Sequence, residues 1–115
     1  MAFQYPIDEL TIRLLALPYF LATKFDAFFD RGVRDIWASH DYEDIIYLLN
    51  HVSDITNHVL KSETMVKLYL RSCASKILEN RSLKEAIVGN LFHEAQEDRF
   101  QLILAKLQTI ADGIQ

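Results

Sequence analysis

A chain of 115 residues, 50% apolar and 24% charged, has the size and balance of one globular domain large enough to bury a core. Its net charge of −4 offers no basic footprint for nucleic acid, and its single cysteine, Cys73, cannot close an internal disulfide, which fits a reducing, cytoplasmic setting. Three glycines and two prolines are too few for the many turns of an all-β fold.

The start of the chain carries Asp8 and Glu9 and has no long apolar run, so it does not read as a signal peptide. The longest strongly apolar stretch, Leu14 to Leu21, is far short of the ~20 residues a membrane span needs. Residues 11–17 begin with alternation. Ile12 and Leu14 fall on one side, Thr11 and Arg13 on the other, which predicts a short strand. A lone strand leaves backbone groups unpaired, so residues 1–9, a second copy or another chain must pair with it.

Pro18 suits the first position of a helix, where its missing N–H costs nothing. The helix is predicted to run to Arg31, with Gly32 as a left-handed stop. Tyr19, Phe20, Leu21, Ala22, Phe25, Ala27, Phe28 and Phe29 make it apolar nearly all round, the pattern of a helix at the centre of a core. A loop with Trp37 follows. Ser39 is placed to cap the next helix, whose first turns hold Asp41, Glu43 and Asp44 and whose apolar face is Ile45, Ile46, Leu48 and Leu49. Asn50 ends or bends it, and a weaker helix is expected over 52–60.

Residues 63–79 carry a helical stripe of Val66, Tyr69, Leu70, Cys73, Ala74, Ile77 and Leu78. Ser82-Leu83-Lys84-Glu85 reads as a capping box opening a short helix to about Phe92. A last helix is expected over 94–112, with Phe100, Ile103, Leu104, Leu107, Ile110 and Ala111 inward and Gly113 as its stop. The expected fold is therefore mainly all-α. It is a single domain over 1–115, with residues 1–17 an N-terminal arm holding one short strand and 18–115 a bundle of about five helices.

One series within the chain is distinctive: Pro18-Tyr19-Phe20-Leu21-Ala22-Thr23-Lys24, then Ala27-Phe28, Arg31-Gly32, Ser39-His40-Asp41 and Glu43-Asp44-Ile45. It resembles the segment that follows the catalytic sheet in a family of bacterial nucleotidyltransferase-like proteins related to the toxin component of abortive-infection systems. Outside Pro18 to Ile45 the agreement is limited to being helical. The resemblance implies a lysine-bearing helix and an aspartate-rich helix beside a nucleotide site. Lys24, Arg31, Asp41 and Asp44 are the positions that match as nucleotide or phosphate contacts. The family's catalytic signature is a Gly-Ser turn followed by paired carboxylates on a strand, which hold the metal that bridges nucleotide phosphates. This sequence has no Gly-Ser pair and no Asp-x-Asp on a predicted strand. The expectation is an accessory, substrate-side domain, inactive alone, with no catalytic residue, metal ligand or cofactor of its own. Mg2+ and nucleotide enter only if a separate catalytic chain joins it through residues 11–17.

Each candidate has a plainer alternative. Lys24 and Arg31, seven positions apart on one helical stripe, can form a phosphate-binding ridge or can pair with Asp41 and Asp44. Arg34, Asp35 and His40 have the loose spacing of a small helical ribonuclease, or are helix-start residues. His51, Asp54 and His58 could hold zinc if residues 51–58 were continuous helix. His93 reads as a surface or capping residue. Cys73 falls on an apolar face and reads as inert. Besides the accessory domain, the sequence allows a homodimeric interaction module and, third, the ribonuclease.

Overall fold

In the computed structural model, residues 17–91 and 96–113 are described, and they form an all-α bundle. The predicted strand at 11–17 lies almost wholly outside the described residues, apart from Leu17, which is already helical. In order come α1 (Leu17–Arg31), a 3-10 stretch (Gly32–Ala38), α2 (His40–His51), α3 (Ile55–Leu60), α4 (Thr64–Leu78), α5 (Arg81–Gly89) and α6 (Gln96–Asp112). That is six α-helices, one more than expected, because the weak stretch after Asn50 forms its own helix. α1 packs on α2 and α4, α4 lies along α6, and α5 closes one end.

One contiguous core joins the helices. Leu21, Phe25 and Phe28 of α1, Tyr42, Ile45 and Leu49 of α2, Leu70 and Ile77 of α4, and Ile103 and Leu107 of α6 are all buried in it. The stripes on α2 and α6 follow the sequence periodicity, as does that of α4 at Leu70, Cys73, Ala74 and Ile77, whereas Tyr69, expected inward, is 37% exposed. α1 departs from expectation. It buries one stripe and leaves Tyr19 and Phe20 half exposed. Each finds a polar or charged neighbour at the surface. The Tyr19 hydroxyl donates to Glu63 (2.5 Å), and the Lys24 ammonium lies 5.5 Å from the Phe20 ring centre.

Three local expectations are corrected. Gly32 is not left-handed; among the described residues only Gly113 has positive φ, 71°, where it ends α6 as expected. Gly32 is needed for space. A Cβ there would meet Phe28 Cδ1 at 2.5 Å and Ser39 Oγ at 2.6 Å. Trp37 is in a 3-10 stretch broken at Asp35, not a plain loop, and its ring edge lies over Gly89 of α5. Finally, Ser82 does not cap α5. Asn80 does, its side-chain oxygen accepting from the Leu83 N–H at 3.0 Å, and Glu85 pairs with Arg81 instead. Asn80 is as good a cap as serine, and it starts the helix one position before Ser82.

Candidate functional site

The residues singled out by the resemblance come from two helices and meet at one seam. α1 ends at Arg31, the chain turns through the 3-10 stretch, and Ser39 starts α2 by accepting from the Tyr42 N–H at 3.1 Å. This corner lays the first turn of α2 beside the second half of α1. Lys24 Nζ is 2.7 Å from Asp44 Oδ2 and 3.9 Å from Asp41 Oδ1. Arg31 Nε donates to Asp41 Oδ2 at 3.2 Å. Asp41 thus bridges the two cations, and it is the most buried of the four, its side chain 13% exposed. Asp41 also sits in the positive first turn of α2, which favours its charge.

Two cations and two carboxylates cancel locally. The exposures divide them further. Lys24 is enclosed by Phe20 and two carboxylates, while Arg31 has a side chain 71% exposed and is tied through Nε. Chemically, the seam can present the outer guanidinium edge of Arg31 to an anion while Asp41 fixes its direction. Beneath it, the Phe28 ring stacks on Tyr42 (centroids 4.6 Å), and the Tyr42 hydroxyl donates to the Leu83 carbonyl at 2.7 Å. Burial raises the Tyr42 pKa well above its usual value, so the hydroxyl keeps its proton.

The other candidates are not assembled. His40 is at the surface beside Glu43 (3.3 Å), and no contact joins it to Arg34 among the described residues. The 51–58 stretch is interrupted between α2 and α3. His51 packs against Tyr47, while His58 pairs with Asp54 at 3.3 Å. No group of three metal-ligating side chains occurs among the described residues. His93 lies outside them. Cys73 is buried, and burial pushes its thiol up to about 11, away from the thiolate a nucleophile needs.

Sequence reasoning missed Lys106. It lies on the inner side of α6, 7% exposed, and donates to the carbonyls of Leu49 (2.6 Å) and Val52 (3.1 Å) at the end of α2. The only sequence signal was a lysine next to Leu107 in an apolar stripe. Comparison with family models, with curated proteins and with solved structures finds no match. No helix among the described residues is long and apolar enough to cross a membrane.

Proposed function

We propose that this chain is the helical, substrate-side part of a nucleotidyltransferase-like protein, without the carboxylate-bearing sheet that anchors catalytic metal, and that it transfers no nucleotide alone. What supports the reading is the resemblance over Pro18 to Ile45 together with Arg31, whose side chain is 71% exposed and held only through Nε, at a seam where Lys24 is otherwise paired with Asp41 and Asp44. In such a protein Arg31 would meet a nucleotide phosphate, and Lys24 and Asp44 would keep the two helices in register. The setting would be cytoplasmic, with the metal and the reacting phosphate on a separate catalytic chain.

The test is reconstitution with a chain that carries a Gly-Ser turn and paired aspartates. Titration calorimetry of the mixture should show a complex that binds Mg2+–nucleoside triphosphate. Arg31→Ala should weaken nucleotide binding by about tenfold or more, the worth of one charge-assisted hydrogen bond. A mixture that neither associates nor binds nucleotide rejects the proposal. Transfer of a labelled nucleotide by the purified chain alone rejects its second half.

A further inference from the structure

Helix α4 carries a second stripe on the side opposite its buried one. Met65 and Leu68 lead it, 79% and 51% exposed, and Ser72, Ser75 and Glu79 continue it in alternating steps of three and four residues. Its first half is large and apolar, and its second half is small. Tyr69 and Lys76 flank the stripe on the side of α1. There the Lys76 ammonium lies over the Phe29 ring at 4.8 Å, and Glu63, just before α4, accepts from the Tyr19 hydroxyl. On the other flank Arg71 is drawn toward α6, its Nε donating to the Ala111 carbonyl at 3.0 Å.

Steps of three and four make the seam by which two helices pack. Laid antiparallel on itself about a twofold axis level with Leu70, this stripe is self-complementary. Met65 faces Ser75 of the second copy and Leu68 faces its Ser72, so each large side chain meets a small one. Lys76 falls level with Glu63 of the second copy, both on the α1 side, and Glu79 falls level with its Lys61. Symmetry makes each of these opposite-charge pairs twice. A parallel pairing would instead set Lys76 against Lys76 and Glu79 against Glu79. We propose that the outer face of α4 is the interface of an antiparallel homodimer, with Met65 and Leu68 seated on Ser75 and Ser72 of the second copy. The proposal is independent of the nucleotidyltransferase reading. A helix of 15 residues, about 22 Å long, buries less than the ~800 Å² per partner of stable interfaces. The dimer is therefore weak, with Kd on the order of 100 µM.

Sedimentation equilibrium of the full chain from about 10 µM to about 1 mM should show a reversible monomer–dimer equilibrium. Met65→Asp should weaken it by about tenfold or more, whereas Tyr47→Ser on α2 should leave it unchanged. Lys76→Glu, which sets like charges opposite Glu63, should weaken it by about fivefold or more, and adding Glu63→Lys to the same chain should restore it. These positions are exposed, and an unchanged helical circular-dichroism signal shows that each variant folds. Mixing a Leu68→Cys chain with a Ser72→Cys chain under mild oxidation reads the register. Crosslinks between the two variants should exceed those within either one. A monomer throughout the concentration range overturns the proposal and leaves this face to another occupant. Dimerisation that ignores Met65→Asp and Lys76→Glu places the interface elsewhere and overturns it too, and so do crosslinks of Leu68→Cys mainly to itself, the sign of a parallel pair.

Discussion

Helix α2 is held at each end by a lysine, and the two ends work by different physics. At its start, Lys24 meets the carboxylates of Asp41 and Asp44 at the edge of solvent. At its end, Lys106 reaches the backbone carbonyls of Leu49 and Val52 inside the protein. The first contact is an ion pair, largely offset by hydration and screened by salt. The second satisfies the Leu49 carbonyl, which the helix end leaves without a backbone partner, joins the Ile55 N–H on the Val52 carbonyl, and puts a positive charge at the negative end of the helix dipole. Proximity of opposite charge is common to both. The lesson is that burial, more than the number of charges, decides how much each lysine contributes.

Substitution of the two lysines is the sharpest way to break that comparison. Lys106→Met should destabilise the protein by about 2–3 kcal/mol, since it removes two charge-assisted hydrogen bonds and strands the buried Leu49 carbonyl, while that of Val52 keeps the Ile55 N–H. Urea unfolding measures it, and a loss below about 0.5 kcal/mol, the range of an ordinary surface change, would erase the contrast between the two ends. Gly32→Ala comes next. The new methyl would press on Phe28, which is itself stacked on Tyr42, and on the capping Ser39. An overpacking cost of about 2 kcal/mol is expected. Gly89→Ala meets Trp37 Cζ3 at the same 2.5 Å, but that ring is 61% exposed and can swing away. Its thermal midpoint should stay within a few degrees of the parent, helped by a gain in helix propensity of up to about 1 kcal/mol. Equal losses at the two glycines would mean that Trp37 is fixed as firmly as Phe28.

Lys24→Met should cost about 1 kcal/mol, and the difference should shrink in 1 M salt, whereas that of Lys106→Met should persist. An unchanged midpoint for Lys24→Met would remove the seam from the stability of the fold. The smallest effect concerns pH. Burial, with a smaller contribution from Arg99, lowers the Lys106 pKa below 10.5, against a weaker opposite pull from Asp54. The unfolded chain then holds that proton more tightly than the folded one. Between the lowered value and 10.5 the folded state gains stability as pH rises. The cost of Lys106→Met should therefore be larger at pH 10 than at pH 7, and a smaller cost at pH 10 would reverse the assigned shift.

The cap at Ser39, the stripes of α2 and α6 and the stop at Gly113 were legible because each depends on residues within a turn or two of one another. The meeting of Lys24 and Arg31 with Asp41 and Asp44 was legible as one of two alternatives, since a short connection limits where α2 can go. The choice of Asn80 over Ser82 was not, because both are good caps and their relative merit turns on packing. Nor was the exposure of Tyr19 and Phe20. Apolar content around a helix shows which faces can be buried, while neighbours decide which are.

By itself the sequence determined a helical chain, the order of its main helices and most of the inward positions, because hydrophobic periodicity and capping act over a few residues. Only the tertiary structure decided that Lys106 is buried, that Gly32 is a packing glycine and that Tyr42 ties α2 to α5. Those facts depend on contacts between residues 41 to 57 positions apart or on the space left between rings. Burial and clearance are properties of the packed whole, and no local pattern encodes them.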